Sequence, residues 1–77
     1  MSHEIPMPQQ EQEIADATIT TWLKQPGDRI EIGDIVAEAE TEKANIEIPS
    51  PVAGVLEAHL VEEGTLVKVG QPIARVR

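Results

Sequence analysis

One lysine stands apart from the other residues of this chain that could take part in chemistry. Lys43 lies in the stretch ETEKANIEIPSP, residues 40–51, with glutamates at positions 40, 42 and 47 and no other basic residue. On both sides the chain alternates small or apolar residues with polar ones. A lysine held between two such runs could be the single amine that a modifying enzyme selects.

The other residue types that support catalysis are absent or isolated. The chain has no cysteine, its two histidines are His3 and His59, and its only serines are Ser2 and Ser50. It also lacks a glycine-rich phosphate loop. An enzyme needs a nucleophile with a base, a metal or a cofactor pocket. We therefore expect no catalytic residues and no metal site, and any reactive group would have to be added to the protein.

The composition limits the partners that the chain can have. Its 77 residues make one domain, and its formal net charge of -8 disfavours nucleic acid and anionic membranes. No apolar run approaches the roughly 20 residues of a membrane span. The N-terminus, MSHEIP, does not resemble a signal peptide. We expect partners with basic surfaces, no nucleic acid and no membrane.

Short alternating segments separated by turn residues predict an all-β fold. In VLEAHLV, residues 55–61, alternation places Leu56, Ala58 and Leu60 on one face and His59 on the other, facing outward. Segment 10–17 is the only helix-tolerant stretch, and it is too short to stand alone. The candidate strands are 3–7, 18–23, 29–32, 35–41, 44–48, 55–61, 66–69 and 72–76.

The chain also repeats itself. Shifting it by 37 residues places 18–39 on 55–76, with glycines and apolar positions in register, and pairs Trp22 with His59 as a packing position. EIPMP at 4–8 similarly matches EIPSP at 47–51, offset by 43, so six extra residues lie in the first half between Pro8 and Thr18. Two similar halves predict two similar sheets related by a pseudo-two-fold axis, in a flattened barrel or sandwich.

The repeat predicts where Lys43 lies. Glu40 and Ile46 correspond to Arg77 and His3, so the turn between them should lie at the end of the domain opposite the chain termini. Only Glu42 and Lys43 separate Thr41 from Ala44, which fits a two-residue hairpin, although the pair lacks the Asn-Gly signal and leaves the turn type open. Position alone favours a solubilising surface charge over a modification site.

Three longer motifs give the chain a resemblance to a known family. ETEKANIEIPSPVAGVL, residues 40–56, resembles the attachment motif of lipoyl domains from the acyltransferase components of 2-oxo acid dehydrogenase complexes. WLKQPGDRIEIGDIVAEAE and VEEGTLVKVGQPIARV are similar to the two glycine-centred half-repeats of that family. The resemblance implies a flattened barrel of two four-stranded antiparallel sheets, with lipoic acid attached covalently to Lys43 on a hairpin at one end.

The resemblance also implies a function and a set of partners. The lipoyl arm would accept an acyl group from a thiamine-dependent 2-oxo acid decarboxylase, deliver it to an acyltransferase and be reoxidised by dihydrolipoyl dehydrogenase. A lipoyl ligase or lipoyl transferase would attach the group, and Glu40, Glu42, Ala44 and Glu47 are the candidate recognition residues. We expect residues 1–77 to form a single non-catalytic, monomeric carrier domain, excised from or N-terminal in a longer chain, in the bacterial cytoplasm or the mitochondrial matrix.

Two alternatives and one departure accompany this interpretation. A biotinyl carrier domain shares the fold but typically flanks its lysine with methionines, whereas Glu42 and Ala44 flank Lys43 here. An unmodified interaction module of the same fold usually has a long insertion in the hairpin, and none lies between Thr41 and Ala44. The departure is the loop QQEQEIADATI, residues 9–19, which has none of the glycines usual in lipoyl domains and leaves the parent complex open.

Overall fold

The computed structural model describes residues 3–8 and 16–77, and within them the chain forms eight strands. All eight predicted strands are present, with ends that differ by at most two residues. The strands are β1 (His3–Pro6), β2 (Asp16–Trp22), β3 (Arg29–Ile30), β4 (Ile35–Glu40), β5 (Asn45–Pro49), β6 (Gly54–His59), β7 (Leu66–Lys68) and β8 (Pro72–Val76).

The strands form two antiparallel four-stranded sheets, as the resemblance to lipoyl domains implies. Their orders are β1-β8-β6-β3 and β5-β4-β2-β7. Side chains from both sheets meet in one core, for example Ile5 and Leu56 from the first sheet and Ile19 and Ile48 from the second. Within the described part of the chain the buried side chains are aliphatic ones, Met7, Trp22 and the single polar residue Ser50. This arrangement is the flattened barrel or sandwich expected from the internal repeat.

Strand pairing confirms the internal repeat residue by residue. His3 pairs with Val76 in the first sheet, and their equivalents Ile46 and Ala39 pair in the second. The irregularities repeat as well: the register shift at Ile5/Pro6 between β1 and β8 recurs between β4 and β5, at Ile35/Ala37. The residue pairs of the two sheets therefore confirm the pseudo-two-fold axis that the sequence predicts.

The alternation predicted for strand β6 is wrong at its second half. A register shift between Leu56 and Ala58 interrupts the pairing with β8, so residues beyond it no longer follow the period of two. Leu60, expected inside, is 38% exposed. His59, expected to face outward, is half-buried against Trp22. Trp22 is a packing residue, as predicted, and it is buried.

Part of the insertion in the first half lies outside the described residues. The helix-tolerant segment 10–17 falls mostly there, but Asp16 and Ala17 belong to strand β2, where Ala17 is buried. Across the described ranges, no helix is long and apolar enough to cross a membrane. Across the same ranges, no three His, Asp or Glu side chains are placed to hold a metal ion.

Candidate site of lysine modification

Lys43 lies at the tip of the hairpin that joins β4 to β5. The two strands pair up to Glu40 and Asn45, and the Thr41 amide then donates to the Ala44 carbonyl at 2.8 Å. Two residues, Glu42 and Lys43, remain between the closing residues, as the sequence predicts. On β5 the buried side chains of Ile46 and Ile48 fix the hairpin against the core. The tip therefore projects from an anchored base.

A side chain adds to the backbone bond that closes the turn. The Thr41 hydroxyl accepts hydrogen bonds from the amides of Lys43, at 3.2 Å, and Ala44, at 3.0 Å. It also donates to the Ala44 carbonyl at 3.0 Å. No non-glycine residue in the described ranges has a positive φ, so the tip is not the type I′ turn that two-residue hairpins favour. Lys43 therefore has a negative φ.

The tip is exposed and acidic. Glu42, Lys43 and Ala44 are exposed, as are Glu40 and Glu47 on the two adjoining strands. Glu38 is half-buried and lies directly opposite Glu47 in the strand pairing. The geometry therefore brings together all the residues that the sequence singled out as an attachment point and its surroundings. It offers one primary amine on a fixed turn, next to carboxylates.

Thr41 is the functional candidate that sequence reasoning did not single out. In the sequence, Thr41 marked only the residue that precedes the two-residue turn. The signal was nevertheless present, since a threonine side chain often accepts the backbone amide two residues ahead and so competes with regular strand pairing. Threonine two positions before Lys43 fits that local pattern.

The hairpin occupies a special place in the repeat. Residues 41–43 have no counterpart at either offset, because Glu40 corresponds to Arg77 and Ile46 corresponds to His3. The hairpin of one sheet thus joins two strands whose equivalents in the other sheet, β8 and β1, pair without a connecting hairpin. The expectation that Lys43 and the termini lie at opposite ends of the domain rests on this equivalence.

Comparison with known proteins identifies the family of this chain. Residues 3–76 match the family described as "Biotin-requiring enzyme", whose name covers biotin and lipoyl attachment domains. The match spans nearly the whole chain. The chain belongs to the biotin/lipoyl attachment family.

Several proteins similar to this chain carry lipoyl names. The lipoyl domain of the dihydrolipoyl succinyltransferase of Escherichia coli is 39% identical, with a TM-score of 0.76, and the match covers 100% of this chain and 96% of that one. A dihydrolipoyllysine-residue succinyltransferase of a 2-oxoglutarate dehydrogenase complex, from Staphylococcus saprophyticus, is 45% identical over 95% of this chain. A dihydrolipoyllysine-residue acetyltransferase of a pyruvate dehydrogenase complex, from Corynebacterium glutamicum, is 41% identical over 95% of it.

The comparison with the E. coli domain places this chain among the lipoyl domains, because the two correspond along their whole lengths. Against the two acyltransferases the correspondence is partial: this chain spans 17% of the first and 11% of the second. The lipoyl-type domain described here is a carrier domain without catalytic machinery of its own, and its relatives belong to 2-oxo acid dehydrogenase complexes.

Proposed function

We propose that Lys43 carries a lipoyl group in amide linkage and that the domain acts as the swinging arm of a 2-oxo acid dehydrogenase complex. The observation that supports this most is the exposed lysine on a two-residue hairpin whose base is anchored in the core. A primary amine is the group that a lipoyl carboxylate needs for an amide bond. An exposed tip also suits a group that must enter other active sites rather than rest in a pocket.

The lipoyl group supplies a strained dithiolane that accepts electrons and an acyl group. The protein supplies tethering. A group held on a short flexible arm meets its next active site at about millimolar effective concentration. The rigid hairpin fixes the base of the arm, and Glu42 and Ala44 leave the attachment point open to solvent. The domain itself makes and breaks no bonds after modification.

The partners follow from this role. A lipoyl ligase or lipoyl transferase would modify Lys43, a thiamine-dependent decarboxylase would load the arm, an acyltransferase core would unload it, and dihydrolipoyl dehydrogenase would reoxidise it. Similarity to both a 2-oxoglutarate and a pyruvate complex component supports a 2-oxo acid as the substrate class. Glu40, Glu42, Ala44 and Glu47 form the proposed recognition surface around the lysine.

The setting of the domain is proposed on the same grounds. Residues 1–77 form one carrier domain within a longer chain, since the related acyltransferases extend far beyond the matched region. The relatives are bacterial, which favours the bacterial cytoplasm over the mitochondrial matrix. The isolated domain should be monomeric.

Biotin on Lys43 is the second candidate, because the family includes biotin attachment. The residues beside the lysine argue against it. Biotinyl carrier domains typically have methionines on both sides of their lysine, whereas Glu42 and Ala44 flank Lys43. The similarity to an E. coli lipoyl domain along its whole length also favours lipoate.

The test is the intact mass of the protein produced in a host supplied with lipoate, next to the Lys43→Arg variant. A mass increase of one lipoyl group, absent from the variant, is expected. A biotin-sized increase would move the domain to the biotin-dependent carboxylases. An unmodified protein, with the ligase shown to be active on a known lipoyl domain, would contradict both attachments.

A further inference from the structure

The Thr41 hydroxyl uses all of its hydrogen-bonding capacity inside the turn. A hydroxyl has one donor and two acceptor lone pairs. Here the hydroxyl donates to the Ala44 carbonyl at 3.0 Å, and it accepts from the amides of Lys43 at 3.2 Å and Ala44 at 3.0 Å. One side chain thus ties together the residue to be modified and the residue after it.

The tip of the hairpin is not anchored by burial. Residues 42–45 are all exposed, and the first buried side chain after the turn is that of Ile46. The turn has no symmetry-related copy, so the packing that the two halves share does not extend to it. The backbone hydrogen bond from the Thr41 amide to the Ala44 carbonyl, at 2.8 Å, closes the turn. The Thr41 hydroxyl accepts hydrogen bonds from the amides of Lys43 and Ala44.

We propose that Thr41 is a positioning residue for the modification of Lys43, because its hydroxyl fixes the backbone that presents the amine to the modifying enzyme. This inference rests on the proposed function and names a determinant of the same site. An enzyme that modifies one lysine of a chain must recognise its placement. A turn that is already ordered spares the enzyme the entropy of ordering it.

Two substitutions separate the hydroxyl from the shape of the side chain. Thr41→Val keeps the branched shape, and so suits a strand end, but removes all three hydroxyl bonds. Thr41→Ser keeps the hydroxyl and loses only a methyl group. Thr20→Val is the matched control, because it removes a threonine hydroxyl that donates to the Glu38 carbonyl at 3.2 Å on the neighbouring strand, away from the turn.

The experiment measures kcat/KM for lipoylation by a lipoyl ligase, with lipoate and ATP and the purified unmodified domain, together with amide hydrogen exchange by NMR. We expect Thr41→Val to lower kcat/KM about tenfold, which corresponds to roughly 1.4 kcal/mol. Its amides at Lys43 and Ala44 should exchange faster while those of the core strands do not change. Thr41→Ser and Thr20→Val should stay within about twofold of the wild type, well below that tenfold step.

The possible results separate this inference from the proposed function. Wild-type rates in Thr41→Val would overturn the positioning role and leave the lipoyl carrier intact. Equal losses in Thr41→Ser or in Thr20→Val would also overturn it, since the hydroxyl at the turn would then not be the cause. A wild-type domain that an active ligase does not modify would overturn both.

Discussion

The rings of Trp22 and His59 stack on each other with their centroids 3.8 Å apart and an angle of 11° between their planes. The two residues occupy the same position in the two halves, so the pseudo-two-fold axis passes between equivalent side chains. Their polar atoms are satisfied in the same way: Trp22 Nε1 donates to the Val61 carbonyl at 3.2 Å, and His59 Nε2 contacts the Lys24 carbonyl at 2.8 Å. Since a carbonyl only accepts, His59 Nε2 carries a proton.

This stack joins the two sheets, so its removal should destabilise the domain. His59→Ala loses a stacking contact worth about 0.5–1.5 kcal/mol and a hydrogen bond worth about 0.5–1.5 kcal/mol. We expect the free energy of unfolding to fall by roughly 1–3 kcal/mol on these grounds. The measurement is urea unfolding followed by the emission of Trp22, the chain's single tryptophan. His3→Ala, at an exposed position, is the control, and equal stability of the two variants would contradict the role of the stack.

Gly54 is a position where the two halves of the repeat differ. Its counterpart is Ala17, yet Gly54 has a φ of 153°, and a Cβ there would collide with the Arg77 carbonyl oxygen and lie 2.8 Å from Val76 Cγ1. Gly54→Ala should therefore cost more than about 3 kcal/mol, combining backbone strain with overpacking. Gly27→Ala is the matched control, because Gly27 also has a positive φ, 98°, but open space around it.

Urea unfolding of these two variants separates the steric overlap at position 54 from the backbone strain that both positions share. Gly27→Ala should cost only about 1–2 kcal/mol, the usual cost of a left-handed backbone for a residue with a Cβ. A Gly54→Ala variant as stable as Gly27→Ala would show that the C-terminal strand can move away, and the close packing of Arg77 against Gly54 would then not matter.

Ser50 marks a second difference between the halves. It is buried and its hydroxyl donates to the Val52 carbonyl at 2.6 Å and accepts from the Val52 amide at 3.2 Å, whereas its counterpart Met7 fills the space with an apolar chain. Ser50→Ala leaves the Val52 amide without this partner, at a cost of about 1–3 kcal/mol. Thermal unfolding beside Thr20→Ala, which removes an exposed hydroxyl, tests this expectation. A similar small loss in both variants would count against it.

Much of the fold followed from the sequence because its two signals are independent. Alternation predicted the strands, and the offset of 37 predicted which of them are equivalent. The pairing of Ala39 with Ile46 then reproduces that of Val76 with His3. The hairpin of Lys43 followed from the same repeat, because it fills the gap between two positions whose equivalents are the chain ends.

Where the prediction failed, the cause was a feature that alternation does not record. The register shift in strand β6 half-buries His59 and exposes part of Leu60, and no residue type in VLEAHLV marks it. The turn type stayed open because it depends on the Thr41 hydroxyl rather than on the glycine or asparagine that such turns usually require. Residue types predict strands, but side-chain bonds to the backbone decide the ends of strands.

The acidic surface near Lys43 has an internal control in the repeat. Glu47 on β5 corresponds to Glu4 on β1, and both are exposed, but only Glu47 adjoins the hairpin. If modifying enzymes bind the carboxylates around Lys43, reversing the charge of a glutamate near the hairpin tip should weaken their association with the domain. Reversing the charge of a glutamate far from the tip should not.

We expect Glu47→Lys and Glu42→Lys to slow lipoylation about threefold, since one exposed charge contact is worth about 0.2–1 kcal/mol. The loss should shrink as salt is raised, because screening shortens the range of exposed charges to about 8 Å at physiological ionic strength. Glu4→Lys changes the net charge by the same amount at the equivalent position of the other sheet and should leave the rate unchanged.

The measurement is the initial rate of lipoylation, followed by intact mass at two salt concentrations. Equal slowing by all three substitutions would mean that the enzyme responds to the net charge of the domain, and unchanged rates in all three would mean that the glutamates form only a solvated surface.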